Sequence, residues 1–158
     1  MQKLPHTKSC FVCGTQNPTG LKLDFETDGN VVRSRFVPQP GWVGFQQTLH
    51  GGIVATILDE VMVWACGVQT KRLAYCAELT VRFVQPVRPG EETVATGEVT
   101  LNRRNKIVET KGEIRDADGG LLASATAKYI PLKEEETAKM LGDFAEDPGM
   151  VFGAASPK

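Results

Sequence analysis

The chain has 158 residues, of which 41% are hydrophobic and 23% are charged, and its formal net charge is −1. This length fits one domain with its own hydrophobic core, and the balanced charge disfavours nucleic-acid binding, which normally needs a basic surface. No apolar run reaches the length of a transmembrane helix, and the N-terminal segment MQKLPHTKSC lacks the apolar stretch of a secretory signal. These features predict a cytoplasmic protein without a membrane partner or a nucleic-acid partner.

The first motif along the chain is a C-x-x-C pair, Cys10 and Cys13, within CFVCG. Zinc ribbons need a second such pair or paired histidines, and Cys66 and Cys76 are poorly spaced for that purpose. A thioredoxin-type pair opens a helix after a strand, whereas residues 14–20 have turn composition. We interpret the pair as structural thiols that pin an N-terminal arm to the core, without metal or cofactor. Metal binding and redox chemistry remain the alternatives.

The first fifth of the chain predicts an arm followed by a hairpin. Residues 1–20 are predicted to be irregular. Apolar residues alternate over 21–25, and Asp-Gly-Asn at 28–30 predicts a turn into a second strand at 31–37. Proline and glycine interrupt the pattern over 38–49, which is predicted to be a loop.

A helix is predicted from Gly51 to Cys66. After Gly52 this segment contains no glycine, proline, lysine or arginine, and its apolar residues occur nearly all around the helix. That pattern is typical of a buried central helix and not of a surface helix. Gly67 follows as a C-terminal stop signal.

Four strand-like segments follow the helix, and turn residues separate them. They cover residues 76–85, 92–101, 106–115 and 121–132. The last of them is rich in alanine, which indicates that another element packs closely against it.

The order is therefore two strands, one buried helix and a four-strand meander. One helix cannot cover both faces of a six-strand sheet, so an antiparallel sheet curled around the helix is the economical solution. This is the α+β hotdog fold, with one long central helix, and it is predicted to cover residues 21–132. Residues 133–158 are predicted to form a charged segment with a short helix and, from 147 onward, a mobile tail.

The sequence His50-Gly51-Gly52 lies at the predicted start of the helix. The first N–H groups of a helix lack intrahelical partners and carry partial positive charge. Glycine lets a substrate approach these groups closely. The segment can therefore bind an oxyanion, and the alternative is that it is only a tight entry into the helix.

Asp59 and Glu60 lie in the middle of the helix among apolar neighbours. Natural chains seldom keep a buried unpaired carboxylate without a reason, and desolvation would suit it to general-base chemistry. Adjacent helical residues point about 100° apart, so only one of the two can face a given pocket. We favour Asp59 for that role, and pairing with an arginine or capping of a loop is the alternative.

The spacing along the helix has a consequence for assembly. Gly51 and Asp59 are eight residues apart, which is about 12 Å at 1.5 Å per residue. A base and an oxyanion donor must converge on one carbonyl, so one helix cannot supply both. A catalytic site therefore requires two helices side by side and at least a dimer.

The segments HGGIVATILDE and AELTVRFVQPVRPGE together resemble the acyl-CoA thioesterases of the hotdog superfamily, in the phenylacetic-acid-pathway-like branch. CFVCGTQNPTGLKLDF resembles the N-terminal segment of one group within that branch. The resemblance covers roughly residues 10–132 and implies hydrolysis of acyl-CoA thioesters. It implies oxyanion binding by the backbone of Gly51 and Gly52, and Asp59 as base or nucleophile. It also implies a homodimer or homotetramer with CoA at the subunit interface.

The chain departs from this family pattern at positions that help to place water. Some relatives have a serine or threonine where this chain has Cys76. Some have an asparagine six residues before the histidine, where this chain has Gly44, with Gln46 and Gln47 nearby. His50 is expected mainly to shape the loop, and a direct catalytic role is the alternative.

Residues that would contact the substrate are less distinct. Arginine suits phosphate, and the basic residues that could meet the CoA phosphates, or could be solvated strand charges, are Arg82, Arg88, Arg103, Arg104 and Lys106. The large apolar residues that could line an acyl pocket, or could belong to the core, are Trp42, Phe45, Met62 and Trp64.

Two other functions remain as alternatives to a thioesterase. A hotdog dehydratase or hydratase needs a catalytic histidine facing an acid, and the HFP-type loop of dehydratases is absent from the sequence. A non-catalytic acyl-CoA binding or sensing protein would use the same pocket without turnover. No helix-turn-helix segment accompanies the domain to make it a DNA-binding regulator.

Overall fold

The computed structural model describes residues 1–153. Its strands and α-helices are β1 Gln2–Lys3, β2 Glu26–Thr27, β3 Val31–Phe36, β4 Val43–Phe45, β5 Thr48–Leu49, α1 Gly51–Thr70, β6 Ala74–Phe83, β7 Thr93–Arg103, β8 Ile107–Asp116, β9 Leu121–Pro131, α2 Glu134–Met140 and α3 Gly149–Phe152.

Seven strands form one antiparallel sheet in the order β1-β2-β3-β7-β8-β9-β6. The sheet wraps around α1, which contacts β3, β6, β7, β8 and β9. This arrangement confirms the predicted α+β hotdog fold with one long central helix.

The predicted four-strand meander was wrong in its order. β7, β8 and β9 form a meander, but β6 pairs with β9 and lies at the far edge of the sheet. The connection at 84–92 carries the chain across the end of the sheet from β6 to β7. Consecutive strands are neighbours only about two-thirds of the time, and the sequence held no signal for this crossing. As a result, the strand after the helix is an edge strand.

The helix lies very close to the sheet because small residues face it. A Cβ at Gly97 would lie 2.5 Å from the Val61 carbonyl oxygen, and one at Gly112 would lie 3.1 Å from Cγ of Met62. The three alanines of β9 are buried on the same side, as the sequence predicts. α1 is long and apolar enough to cross a membrane by length and composition, but its burial under the sheet identifies it as the core helix.

Several segments differ from the predicted elements. α1 continues through Gly67, the predicted stop signal, and ends at Thr70, with Lys71 as its left-handed cap. The predicted loop at 38–49 contains the short β4–β5 hairpin. The predicted strand at 21–25 is buried but is not part of the sheet, since the backbone N–H groups of Leu21 and Leu23 donate to the carbonyls of Phe11 and Val12. The alternating pattern therefore reports burial against the arm, and the arm supplies the hydrogen bonds.

The arm and the C-terminal segment pack against each other and against α1. Thr7 forms an isolated antiparallel bridge with Phe144. The Trp64 ring lies 6.1 Å from the Phe144 ring and 6.2 Å from the Phe152 ring, measured between centroids. The part of the predicted mobile tail at 149–152 is thus a short helix on the core, whereas residues 154–158 lie outside the described residues.

Candidate active site

The start of α1 is held by a cap that the sequence did not foresee. His50 is the N-cap residue, and its Nδ1 accepts a hydrogen bond of 2.9 Å from the Gly52 N–H. The His50 N–H in turn donates to the Trp42 carbonyl over 2.9 Å. A Cβ at Gly44 would lie 2.8 Å from the imidazole Cδ2, so the β4–β5 hairpin fixes the ring from the other side.

Because of this cap, the two backbone N–H groups that the sequence predicts as oxyanion donors differ in whether they are already hydrogen-bonded. The Gly52 N–H is occupied by the imidazole. The N–H of Gly51 is the first of the helix and has no acceptor among residues 1–153. It lies at the positive end of the helix dipole, where an anion is stabilised.

An apolar cleft of about 300 Å³ opens beside this first helical turn. Phe83 of β6 lines the cleft, and its ring would lie 3.4 Å from a Cβ at Gly51. The other lining residues are Thr48, Leu49, Val54, Val84, Gln85, Pro86, Val87 and Ala123. Gly51 therefore lies against the Phe83 ring, which forms one wall of the apolar cleft.

Asp59 points toward the sheet, where Tyr129 of β9 holds it. The phenol O–H donates to Oδ1 of Asp59 over 2.6 Å and lies 3.0 Å from the backbone carbonyl oxygen of the same residue. Tyr129 is fully buried. Its burial, and then the Asp59 charge, raise the pKa of Tyr129, so the phenol stays protonated and acts as the donor. A bond of this length to a carboxylate is charge-assisted and fixes its orientation.

Cys76 completes this group from the neighbouring strand. It lies opposite Tyr129 in the β6–β9 pairing, at a bulge between Cys76 and Glu78. Burial, and then the Asp59 carboxylate, raise the pKa of the Cys76 thiol, which therefore stays neutral beside Asp59. Bulges often redirect a side chain next to a functional site.

The sequence did not identify Tyr129, although a signal for it was present. Ala123, Ala125 and Ala127 are the helix-facing residues of β9, and Tyr129 continues that period of two. A tyrosine on a buried face needs a partner for its hydroxyl, and a mid-helix carboxylate is the obvious choice.

Glu60 points about 100° away from Asp59 around the helix and contacts the N-terminal arm. Its Oε1 lies 3.7 Å from the Cys10 Sγ, and Cys13 is close to both. Burial raises the pKa of Glu60 to about 8, and the Cys10 and Asp59 charges add to the effect. Hydrogen bonds from the thiol and the N–H of Cys13 and from the Val12 N–H hold the pKa of Cys10 below its usual value.

The residues predicted to bind substrate are scattered. Gln47 lies at the tip of the β4–β5 hairpin with φ of 52° and lines a separate cleft of about 430 Å³. Trp42 is half-buried and packs against the core. Arg88 is exposed, and Arg103 is exposed and lies 3.2 Å from the Glu109 carboxylate.

Two large residues predicted to line an acyl pocket lie elsewhere. Met62 is fully buried beneath the sheet against Gly112, so the prediction that it contacts substrate has no support in this position. Trp64 packs with Phe144 and Phe152 on the arm side. An apolar pattern in the sequence does not distinguish core side chains from pocket side chains.

Comparison with protein families gives a match to the thioesterase superfamily over residues 46–123. One similar crystal structure, of a thioesterase superfamily protein, has a TM-score of 0.70 and 25% identity, with 78% of this chain and 63% of that chain covered. This chain thus spans less than two thirds of that protein.

Two further structures share the fold. The PaaI protein of the Escherichia coli phenylacetic acid degradation operon has a TM-score of 0.65 and 20% identity, with 72% of this chain and 81% of that chain covered. A hypothetical thioesterase of Streptococcus pneumoniae, solved with coenzyme A, has a TM-score of 0.64 and 13% identity, with 70% and 85% covered. No curated protein sequence matches the chain.

Proposed function

We propose that this protein hydrolyses acyl-CoA thioesters to the free acid and CoA. The observation that carries the proposal is the Asp59 carboxylate, oriented by a 2.6 Å hydrogen bond from the buried Tyr129. The match to the thioesterase superfamily supports the reaction class. The coenzyme A bound by the pneumococcal relative supports CoA as the thiol part of the substrate.

In this reaction Gly51 and Asp59 have separate roles. The Gly51 N–H stabilises the negative charge that develops on the thioester oxygen. Asp59 acts as the general base that removes a proton from the attacking water, or attacks the carbonyl carbon itself. As general base, Asp59 returns the proton taken from water to the CoA thiolate when the C–S bond breaks. As nucleophile, Asp59 forms a mixed anhydride while the CoA thiolate leaves and takes a proton from solvent, and water then hydrolyses the anhydride to the free acid and regenerates Asp59. Cys76 lies beside the carboxylate, where it can help to place the water.

The two groups that act on one thioester come from different copies of the chain. Gly51 and Asp59 are about 12 Å apart along the helix axis, given a rise of about 1.5 Å per residue. The edge strand β6 spans ten residues and exposes 61% of Tyr75 and 59% of Phe83. A long apolar edge strand normally requires a cover. A second copy at this edge lies next to both Cys76 and Phe83, and so next to both parts of the site.

The proposal is tested with a panel of aliphatic and aromatic acyl-CoAs, with thiol release followed by a thiol reagent. Gly51→Pro and Gly51→Ala form a matched pair. Proline is tolerated at the first helical position, and His50 has φ −60° and ψ 131°, which a following proline permits. Gly51→Pro removes the N–H donor and adds a ring, and it should lower kcat about 10²–10³-fold. Gly51→Ala keeps the donor and adds only a Cβ, 3.4 Å from the Phe83 ring, so it should lower kcat much less than proline does.

Absence of turnover with every acyl-CoA, together with thermal stabilisation by the same compounds, would identify an acyl-CoA binding protein instead. Equal activity of the proline and alanine variants would remove the oxyanion role from Gly51. Sedimentation at micromolar concentration tests the assembly, and a monomer that is fully active would contradict the shared site.

A further inference from the structure

A second group of reactive side chains lies on the other face of α1, and the proposed hydrolysis does not use it. The Sγ atoms of Cys10 and Cys13 and a carboxylate oxygen of Glu60 lie within 4.8 Å of one another. The two cysteines belong to the arm, and Glu60 is fifty residues further along the chain than Cys10. The cluster thus joins the arm to the middle of the helix.

The distances suit one metal ion of the size of zinc. Zinc binds thiolates at about 2.3 Å and carboxylate oxygens at about 2.0–2.2 Å in tetrahedral geometry, which places neighbouring sulfur and oxygen ligands about 3.6 Å apart. The observed separation between the Cys10 Sγ and the Glu60 Oε1 is 3.7 Å. An ion can therefore enter with little movement of either side chain.

The backbone around the cysteines is arranged to support a bound thiolate. The Val12 N–H lies 3.3 Å from the Cys10 Sγ and donates to it, and the Thr7 hydroxyl lies 3.5 Å from the Cys13 Sγ. The Gly14 N–H closes the turn by donating to the Cys10 carbonyl over 2.9 Å. Hydrogen bonds of this kind, from groups that do not themselves bind the metal, orient metal ligands and adjust their basicity.

The turn has room for glycine alone at its fifth residue, Gly14. A Cβ at Gly14 would lie 2.2 Å from the Cys10 carbonyl oxygen and 2.9 Å from the Lys8 carbonyl oxygen. The sequence C-x-x-C-G therefore builds a tight loop that directs both sulfur atoms to one side, toward Glu60.

The charge of the cluster also favours a cation. Within residues 1–153, no lysine, arginine or histidine forms an ion pair with Glu60. Two thiolates and a carboxylate in a partly buried place repel one another unless they are protonated or paired with a cation. A divalent ion offsets two of the three negative charges, and the mixed sulfur and oxygen donors are those that zinc accepts.

We propose that Cys10, Cys13 and Glu60 bind one Zn²⁺ ion, with water at the fourth coordination position. The ion fastens the N-terminal arm to α1 one residue away from Asp59. The spacing of the cysteines offers no second pair of ligands, so the sequence alone predicts no metal. Glu60 becomes a candidate ligand only in the folded structure.

The first test needs no variant. The protein, expressed in zinc-supplemented medium and purified without chelators, should contain about one zinc ion per chain by elemental analysis. After chelation under reducing conditions, Co²⁺ should produce thiolate-to-cobalt charge-transfer absorption and the visible bands of tetrahedral cobalt, and zinc should displace both. A reduced protein that takes up neither ion overturns the proposal.

Variants then identify the ligands. Cys10→Ser and Cys13→Ser should weaken zinc binding at least about 100-fold and reduce the charge-transfer band, since each removes a thiolate ligand. Glu60→Gln should weaken zinc binding at least about 10-fold while keeping the thiolate-to-cobalt charge-transfer absorption, since both cysteine ligands remain. Cys76→Ser, which removes a thiol outside the cluster, should bind as the unaltered protein does.

Two results would contradict the assignment. If Glu60→Gln binds cobalt with unchanged affinity and spectrum, the carboxylate is not a ligand and the site is wrong as stated. The second result is a reduced protein that binds no metal but forms a disulfide on mild oxidation, seen as the loss of two titratable thiols and of the mass of two hydrogen atoms. If Cys13→Ser prevents this change, the pair is a redox disulfide.

Discussion

The neighbouring carboxylates Asp59 and Glu60 lie in two different surroundings, although one peptide bond separates them. Asp59 faces the sheet, where Tyr129 and Cys76 come from paired strands. Glu60 faces the N-terminal arm, where Cys10 and Cys13 come from an irregular turn. Successive helical residues point about 100° apart, so a helix between two layers presents one carboxylate to each.

The two surroundings differ in how they hold a side chain. Strands on both sides fix Tyr129, which pairs with Cys76 of β6 and with Val108 of β8, and this gives Asp59 a rigid frame. The arm is fixed by a two-residue strand, an isolated bridge, turns and separate backbone hydrogen bonds. Its cysteine sulfurs contact the Thr7 hydroxyl and the Val12 N–H. Sites on regular elements are more precise than sites on loops, which supports the proposed chemistry on the sheet side and the proposed metal anchor on the arm side.

The most direct test of whether the two carboxylates have different roles is to neutralise each of them in turn. Asp59→Asn keeps the shape and hydrogen-bonding capacity of the side chain but removes its basicity. We expect kcat for acyl-CoA hydrolysis to fall at least about 10²-fold with KM nearly unchanged, because the loss falls on the transition state. Steady-state kinetics on the best substrate of the panel measures both constants.

Glu60→Gln is the matched control for that substitution. It should change kcat much less, since its carboxylate faces Cys10 of the arm and the two carboxylates interact only through their charges. The reverse ranking would move the active carboxylate to Glu60 and to the arm side of the helix. If both variants kept full activity, the helix carboxylates would be structural.

The arm side should be most sensitive at Gly14. A methyl group there would lie 2.2 Å from the Cys10 carbonyl oxygen, so the turn must open. We expect Gly14→Ala to lower the free energy of unfolding by about 2–3 kcal/mol and to reduce cobalt uptake. Denaturant unfolding and cobalt titration measure the two effects.

Gly142→Ala provides the control, because a Cβ there would contact no atom within 4 Å. It should leave both measurements nearly unchanged. A Gly14→Ala protein that unfolds normally and binds cobalt normally would show that the turn does not organise the cysteines.

On the sheet side, the next largest effect should follow from Tyr129→Phe. This change removes the hydroxyl that orients Asp59 and retains the buried ring. We expect kcat to fall about 10-fold, with KM unchanged, since a charge-assisted hydrogen bond contributes about 1.5–3 kcal/mol and water recovers part of it. A fall in thermal stability with unchanged kcat would assign the hydroxyl a structural role only.

Periodicity in the sequence predicted the elements that surround both sites. The apolar pattern of α1 and the alternation in β6 to β9 gave the fold, and the angle between adjacent helical residues gave the divergence of Asp59 and Glu60. The edge position of β6 could not be predicted, because several strand orders satisfy the same alternation. It follows from packing that only the folded chain shows.

The residues that contact the two carboxylates could not be predicted from the sequence for a related reason. Tyr129 is seventy residues from Asp59, and Cys10 is fifty residues from Glu60. Contacts at such separation depend on strand register and on the course of the arm, which local propensity does not specify. The occupied N–H of Gly52 was missed for the opposite reason, since the cap comes from His50 only two residues away and depends on a single side-chain rotamer.

The smallest expected effect concerns His6, which ties the arm to the C-terminal segment. Its Nε2 lies 2.7 Å from the Asp24 carboxylate and its Nδ1 lies 3.1 Å from the Glu146 carboxylate. Burial lowers the pKa of His6, but the hydrogen bonds and charges of the two carboxylates outweigh it, so the pKa is raised above 6.5. The stabilisation is therefore complete below pH 6.5 and is lost as the pH rises through the raised value.

His6→Gln should be less stable than the unaltered protein near pH 6, by less than about 1 kcal/mol because the partners are exposed. The difference should shrink toward pH 8.5 or so, as measured by denaturant unfolding, while kcat stays the same. A difference that does not vary with pH would show that His6 acts only as a neutral hydrogen-bonding group.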